Sequence, residues 1–221
     1  MKKFGTRGLE ARKTPVQARS AATVEAILEA TIQVLLEAGP ERLTTTRVAE
    51  RAGASVGTLY QYFPNKQSVL YAVLEMHLGN VQKAVQAACQ TVHGEPVERM
   101  AEVVALAFVE AKMKRADASA ALYRIAATVE TKSLVQGVKR RSVAALAKML
   151  ATARDARFVD VAAVAETLYG AMVGAVRATL EAGASPKMVK SLREQLVVLC
   201  AAYLVAAGRE ANGVRKAGAA A

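Results

Sequence analysis

One stretch of the sequence, residues 45–66, constrains the fold of this chain more than any other. Its first half places apolar residues at the spacing of one helix face, which predicts a short helix over residues 46–52. Gly53 can adopt the left-handed conformation that ends a helix, and Ser55 can accept the free amide groups of a second helix as its N-cap. Two short helices joined by such a turn form a helix-turn-helix, whose second helix can enter the major groove of DNA.

The second predicted helix covers residues 56–63 and ends there because Pro64 disfavours helical geometry at the residue before it. Leu59 and Phe63 lie four residues apart, so both side chains can bury against the first helix of the pair. The other side chains of this helix are mostly small or able to form hydrogen bonds, which is unusual for a purely structural element. An ordinary helical hairpin with exposed tyrosines is the alternative interpretation.

These residues resemble the DNA-binding segment of the TetR (tetracycline repressor) family. The resemblance covers residues 23–66 and depends most on the pattern G-T-L-Y-x-Y-F-x-x-K, which is hard to produce by chance. It implies a homodimeric transcriptional regulator, in most cases a repressor that a small, largely apolar ligand releases from a palindromic DNA operator. Two symmetry-related recognition helices would then read half-sites about one helical turn or more apart.

The resemblance also assigns roles to individual residues of this stretch. The side chains expected to position DNA phosphates are Thr45, Thr46, Ser55, Tyr60, Tyr62 and Lys66. The residues expected to face the bases are Val56, Gly57, Thr58 and Gln61. Gln61 stands at a position that varies within the family, and adenine is the base that a glutamine pairs with by default.

The composition favours a helical protein with a polyanionic partner. We predict an all-α fold because the chain is rich in alanine and only 5% aromatic. The formal charge of +11 suits a nucleic acid without proving one. Residues 1–20 carry six basic residues against one acidic residue and are predicted to be a basic flexible arm, although a solvated arm without a partner has the same composition. Residues 210–221 lack apolar anchors and are predicted to be a disordered tail.

Helical periodicity divides the chain into a three-helix segment, residues 21–66, and a larger helical segment, residues 67–209. The resemblance implies that the first is the DNA-binding domain and the second the domain for ligand binding and dimerisation. The first helix should end at Gly39-Pro40. A long connecting helix over residues 66–90 leads into the larger domain, and in the resembled family this connection carries the ligand signal. Further helices are predicted over residues 97–115, 117–154 with an interruption near 131–133, 158–182 and 186–209.

The larger domain contains methionine and aromatic side chains that could line an apolar ligand pocket, because methionine fills irregular cavities. The candidates are Met76, Met100, Val104, Phe108, Met113, Tyr123 and Met149. Plain core packing explains each of them individually. Arg124, Glu130, Glu166 or Arg177 could orient a ligand, although each is more often a surface or paired charge.

Small residues recur near helical spacing in residues 158–180, and such a face lets another backbone approach closely. Together with the last helix, this face could form a four-helix bundle across a two-fold axis. The residues expected at this dimer interface are Gly170, Ala171, Gly174, Ala175, Ala178, Leu196, Leu199 and Tyr203. Packing within a single chain is the alternative interpretation of the same residues.

The sequence contains no motif that is typical of an enzyme, a metal-binding protein or a redox protein. Cys89 and Cys200 form no CxxC pair, and neither histidine has a nucleophile or metal partner at motif spacing. We therefore expect no enzyme, no metal and no cofactor.

The most apolar run, residues 196–207, is shorter than the ~18 residues of a membrane span and is predicted to be a buried helix. The amino terminus lacks the apolar segment of a signal peptide, so we expect a cytoplasmic protein without a membrane partner.

Two alternatives to a regulator stay open. The chain could be a helical ligand-binding or catalytic protein whose basic arm contacts acidic partners, or a nonspecific architectural DNA binder. A preference for a palindromic fragment over random DNA would distinguish the regulator from both.

Overall fold

The computed structural model describes residues 18–126 and 131–218, with side chains described for residues 20–123, 125–126 and 131–208. The described residues form helices and contain no strand, which confirms the predicted all-α fold. The helices are α1 Ala18–Arg42, α2 Thr45–Arg51, α3 Val56–Tyr62, α4 Lys66–Thr91, α5 Val97–Met113, α6 Ala116–Ala126, α7 Lys132–Leu150, α8 Val161–Glu181 and α9 Pro186–Gly218. Residues 1–17 of the predicted basic arm lie outside the described residues.

The described residues fall into two compact units. Unit 1 takes its residues from Met1–Leu78 and Ala121–Leu134, and unit 2 from Gly79–Ala120 and Val135–Ala221. The division falls within α4, whereas the predicted domain boundary lies after Lys66. The first turns of α4 belong to unit 1 because their apolar side chains are buried there.

Unit 1 is built around side chains buried between its helices. α1 packs on α2, and α2 packs on α3. The regular part of α1 ends at Gly39, as predicted, because its φ of 76° lies in the left-handed region that favours glycine. The largest fully buried side chains of this unit include Ile27, Leu35, Leu43, Leu59, Phe63 and Leu74. This core holds α2 and α3 in a fixed orientation relative to α1.

Unit 2 packs α5 and α8 against α9, and α5 against α8. Its largest fully buried side chains include Met100, Phe108, Leu146, Met149 and Leu150. The segment after α7 also holds the amino end of α5: the backbone amide of Val97 donates to Asp155 Oδ1 at 3.0 Å. A side chain 58 positions away in the sequence therefore satisfies an amide that α5 itself leaves without a partner.

The bounds of the last two helices differ from the predictions. α8 begins at Val161, later than predicted, because Asp160 caps it by accepting a hydrogen bond from the amide of Ala163 at 2.9 Å. α9 continues to Gly218, so the predicted disordered tail is corrected: residues 210–218 belong to this helix. Ala211, Arg215, Lys216 and Ala217 in that segment favour helices, whereas Gly213 and Gly218 do not.

Candidate functional site

The helix-turn-helix of unit 1 is fixed by local capping. The amide of Arg47 donates to Thr44 Oγ1 at 3.3 Å, which makes Thr44 the N-cap of α2. Gly53 has a φ of 65°, as its predicted role in ending α2 requires. The amide of Thr58 donates to Ser55 Oγ at 2.9 Å, so Ser55 caps α3 as predicted. The turn is therefore specified by three short-range signals in the sequence.

Helix α3 buries one face and leaves the other open. Leu59 and Phe63 are 0% and 1% exposed, which confirms that they anchor the helix. The predicted DNA-facing residues Gly57, Tyr60 and Gln61 are exposed. The other predicted DNA-facing residues of this helix, Val56, Thr58 and Tyr62, are half-buried. The exposed face has the small and polar character of a surface that meets another molecule.

Gly57 has space around it within the protein. A Cβ atom at this position would meet only Ser55 Oγ, at 3.7 Å, which is ordinary van der Waals contact. Its backbone is helical, so φ does not demand glycine either. Neither the packing nor the backbone of the protein accounts for a glycine at this exposed position.

Hydroxyl groups at the start of α2 lie beside α3. The side-chain oxygens of Thr45 and Tyr60 lie 3.1 Å apart and share a hydrogen bond. Tyr60 is 42% exposed, and Thr46 is exposed next to them. Ser55 Oγ and Thr58 Oγ1 lie 2.8 Å apart at the other end of the same surface. These groups can present donors to phosphate oxygens.

Lys66 begins α4 and already has a partner within unit 1. Its ammonium group donates to the carbonyl oxygen of Pro40 at 2.9 Å. Asn65 caps the same helix, because its Oδ1 accepts from the amide of Ser68 at 2.8 Å. The hydrogen bond from Lys66 to Pro40 joins residues 26 positions apart, so no sequence pattern predicted it.

Two arginines missed by the sequence patterns lie at the same turn. Arg42 Nε donates to the carbonyl of Ala38 at 3.1 Å, and Arg47 Nη1 donates to the carbonyl of Arg42 at 3.1 Å. Both side chains are exposed. Their position immediately around the threonine cap of α2 is the signal that could have identified them.

A bidentate ion pair fixes α2 on α1. Arg51 Nη1 and Nη2 donate to the two carboxylate oxygens of Glu37 at 2.7 and 2.5 Å. This hydrogen bonding lowers the pKa of Glu37 and raises the pKa of Arg51. The pair orients the end of α2 that precedes the turn.

Two family models match the chain. The model of bacterial regulatory proteins of the TetR family matches residues 27–73, and the model of the tetracyclin repressor-like C-terminal domain matches residues 96–204. The chain belongs to the TetR family. The first match contains the complete helix-turn-helix and the start of α4, and this confirms the resemblance of the sequence motif.

Several members of the TetR family are similar to this chain. The transcriptional repressor KstR of Mycolicibacterium smegmatis is 34% identical over 90 residues, which are 41% of this chain and 41% of the repressor. The chain therefore spans less than half the length of this curated relative. A TetR-family regulatory protein from Rhodococcus RHA1 has a TM-score of 0.65 and 19% identity, over 82% of this chain and 96% of that chain. The fatty acid degradation regulator FadR from Bacillus halodurans has a TM-score of 0.62 and 18% identity, over 78% and 97% of the two chains. Both structures share the fold.

The candidate ligand-binding residues of this TetR-family protein are divided between the units. Met76 and Tyr123 are half-buried in unit 1, and Met113 is half-buried in unit 2. The remaining candidates are at most 1% exposed in the core of unit 2: Met100, Val104, Phe108 and Met149. Their complete burial agrees with the alternative interpretation, in which these side chains are plain core.

Polar groups that no motif predicted lie in the interior of unit 2. Lys112, one turn after Phe108, is 4% exposed, and this burial lowers its pKa to about 8. The rings of Phe108 and Tyr169 meet edge to face with centroids 6.4 Å apart. Burial raises the pKa of Tyr169, the negative charge of Glu166 acts in the same direction, and a hydrogen bond with Ser142 opposes both.

Of the four charged residues that could orient a ligand, two form ion pairs with other side chains. Glu166 pairs with Lys139, and Arg177 pairs with Glu181 at 2.7 Å. The side chain of Arg124 and all of Glu130 lie outside the described residues.

The two cysteines are buried, which raises the pKa of Cys89 to about 12 and that of Cys200 to about 11, so both thiols stay protonated near neutral pH.

The predicted dimer face on α8 is open in the protomer. Gly170, Gly174 and Ala178 are exposed, and a Cβ at either glycine would meet nothing within 4 Å. Ala171 and Ala175 are half-buried beside them. The small residues of this stripe are therefore not required by packing within the chain.

Helix α9 presents one apolar face inward and another outward. Leu196 is only 2% exposed, so its assignment to the dimer face is corrected: it lies in the core of the protomer. Val198 and Leu199 are 61% and 50% exposed on the outer face, and Tyr203 is half-buried. The run predicted as a buried helix thus keeps part of its apolar surface outside.

By length and composition alone, two helices among the described residues could cross a membrane, Val161–Glu181 and Pro186–Gly208. Only 22% and 28% of the residues in their most apolar windows are buried. Both helices lie largely within the region that matches the C-terminal domain of the TetR family. Their outer faces are apolar surface that a partner could cover.

Proposed function

We propose that this TetR-family protein is a sequence-specific DNA-binding transcriptional regulator, acting as a repressor in the cytoplasm. One observation carries the proposal: α3 is anchored by Leu59 and Phe63 while Gly57, Tyr60 and Gln61 are exposed on its other face. This face lies within the residues that match the DNA-binding segment of the family. A helix anchored in this way can enter the major groove without disturbing its own core.

The roles within the interface divide between positioning and reading. Thr45, Thr46, Ser55, Tyr60, Tyr62 and Lys66 position phosphates. Val56, Gly57, Thr58 and Gln61 face the bases. The exposed hydroxyls at the start of α2 and α3 suit phosphate oxygens, because such contacts orient a protein on DNA without reading its sequence. Gln61 is the exposed side chain able to form two hydrogen bonds with one base edge.

We also propose that the protein is a homodimer that reads a palindrome. The exposed small-residue stripe of α8 and the outer face of α9 support this proposal, since both are apolar and both are open in the protomer. A second copy placed across a two-fold axis would cover them and bring two copies of α3 to one duplex.

The proposed effector is a small, largely apolar molecule bound within unit 2. Methionine and aromatic side chains supply adaptable apolar surface there, and Lys112 with Tyr169 supplies polar groups. The relative from Bacillus halodurans is named as a fatty acid degradation regulator. Fatty acids are therefore the first compounds to test for a shift in melting temperature and for release of DNA.

Fluorescence anisotropy tests the main proposal. The probes are a palindromic fragment from the DNA upstream of the protein's own coding region and a scrambled duplex of the same composition. We expect the palindrome to bind about a thousandfold more tightly or better at physiological salt. Equal affinity for both duplexes would mean a nonspecific architectural DNA binder, and binding to neither would mean a helical ligand-binding protein.

A further inference from the structure

Three cationic side chains converge on one short turn of unit 1. The turn covers residues 38–44, from the end of the regular part of α1 to the N-cap of α2, and its carbonyl oxygens at Ala38, Pro40 and Arg42 each accept a hydrogen bond. Their donors are Arg42 Nε at 3.1 Å, Lys66 Nζ at 2.9 Å and Arg47 Nη1 at 3.1 Å, respectively. The cations come from the end of α1, from α2 and from the first residue of α4. Segments far apart in the sequence thus place positive charge along the same short stretch of backbone.

The carbonyl groups do not neutralise these charges. The carboxyl end of a helix carries about half of one negative charge, whereas the three side chains carry one full positive charge each. In the part of the chain that the structure describes, Arg42, Arg47 and Lys66 form no ion pair with a carboxylate. Arg51 on the same helix as Arg47 differs, because Glu37 neutralises it. Glu41, which is exposed in the same segment, offsets one of these three charges, so the turn keeps a net positive charge.

The same side chains retain unused hydrogen-bond donors. A guanidinium group has five N–H donors and an ammonium group has three. The bonds to the turn use one donor of each of the three side chains. Arg42 and Arg47 are exposed, and Lys66 is half-buried. Because the bonds to the carbonyls already hold the cations in place, a phosphate that binds them meets less loss of side-chain entropy.

We propose that Arg42, Arg47 and Lys66 form a phosphate cradle that grips the DNA backbone beside the site read by α3. The proposal rests on the proposed function as a DNA-binding protein and extends its interface to the turn between α1 and α2. Charge-assisted hydrogen bonds from the cradle hold phosphate oxygens and set the orientation of α2 and α3 on the duplex. The cradle contributes equally to every DNA sequence.

The dependence of DNA affinity on salt tests the cradle. The double variant Arg42→Gln with Arg47→Gln is compared with the wild type on a fluorescein-labelled random-sequence duplex and on the palindromic fragment. Each phosphate neutralised by a protein contributes about 0.9 to the slope of log affinity against log salt concentration. We expect the double variant to lose about two from the magnitude of this slope, because each protomer of the proposed dimer would release one phosphate, and to weaken binding to both duplexes by the same factor.

Two control variants isolate the cause. Arg140→Gln with Arg141→Gln removes the same charge from exposed positions of α7, and we expect it to leave the slope close to the wild-type value. Arg42→Lys with Arg47→Lys keeps both charges and should restore most of the slope. If the double glutamine variant does not remain folded by circular dichroism, the two single glutamine variants provide the same comparison.

The outcomes separate the cradle from the proposed function. A slope that falls no further in the turn variant than in the α7 variant overturns the cradle, even if the wild type prefers the palindrome. A loss confined to the palindrome also overturns it, because a phosphate contact carries no sequence information. If the double glutamine variant shows the expected loss of slope while the wild type does not prefer the palindrome, the cradle is supported and the specific regulator is contradicted.

Discussion

The hydroxyl oxygens of Thr45 and Tyr60 lie 3.1 Å apart, so a hydrogen bond joins the first residue of α2 to the middle of α3. The apolar side chain of Leu59 buries beside it and holds the same two helices from within. The helix-turn-helix is therefore fixed both in its core and on the surface proposed to meet DNA. The following predictions depend on this and three other local arrangements.

We expect Tyr60→Phe to weaken DNA binding more than it weakens the fold. The variant keeps the ring but loses the hydroxyl, and a hydrogen bond with a charged group is worth about 1.5–3 kcal/mol. The unfolding free energy should fall by less than about 1 kcal/mol because the bond with Thr45 is exposed. Anisotropy and urea titrations measure the two quantities. A double-mutant cycle with Thr45→Val then gives the coupling between the pair, and a coupling of zero in both quantities would contradict a role for this contact.

Gly57→Ala should stabilise the protein and weaken its binding to DNA. Alanine loses less conformational freedom than glycine in a helix, which favours the folded state by about 0.5–1 kcal/mol. The new methyl group meets only Ser55 Oγ within the protein, at 3.7 Å. On DNA it would occupy space where the backbone approaches the bases. Gly79→Ala is the matched control, because that helical glycine also has room for a Cβ. If both variants raise the melting temperature and both bind DNA like the wild type, Gly57 does not approach the duplex.

Gly174→Arg should separate the proposed dimer without unfolding the protomer. A side chain at this position points into open space in the single chain, since nothing lies within 4 Å of its Cβ. In a four-helix interface the same side chain would collide with the second copy and bury a charge. Light scattering after size exclusion should give the mass of one chain. Ala144→Arg on the exposed side of α7 adds the same group as a control and should leave the dimer intact. An unchanged dimer mass for Gly174→Arg would place the interface elsewhere.

Lys112 should make stability rise with pH between about 8 and 10.4. Burial lowers its pKa to about 8 in the folded state, whereas an unfolded lysine titrates near ~10.4. Across this interval the unfolded chain binds more protons than the folded protein, so the unfolding free energy rises as pH rises. The expected gain approaches about 1.4 kcal/mol per pH unit for this group. It is measured as the difference between wild type and Lys112→Met in urea titrations. Lys148→Met, at an exposed position of α7, serves as the control, and a difference that does not change with pH would contradict the desolvation of Lys112.

The helix-turn-helix was predictable because its signals are local. Gly53, Ser55 and Pro64 act on the backbone within one or two residues of themselves, so a reader of the sequence can place the turn and the end of α3. The family pattern adds the residues expected to face DNA. The anchoring of α3 by Leu59 and Phe63 follows from a spacing of four residues and needs no tertiary information.

The arrangements that escaped prediction depend on distant parts of the chain. The bond from Lys66 to Pro40 joins α4 to the end of α1, and nothing in the spacing of either segment requires it. Leu196 was assigned to the wrong face because α9 is apolar on both sides, so periodicity alone does not distinguish the core from an outer surface. The exact start of α8 depends on which nearby polar residue caps it.

The contact between Asp155 and the amino end of α5 has a consequence for the order in which the chain matures. During synthesis α5 and α7 leave the ribosome before Asp155 does, so the amide of Val97 has no side-chain acceptor until the segment after α7 appears. A nascent chain that ends within α7 therefore exposes an unfinished helix, and one that continues through Asp155 closes it. Helices α8 and α9, which pack against α5, follow Asp155 in the sequence, so the core of unit 2 closes only after the carboxyl-terminal part of the chain has been made.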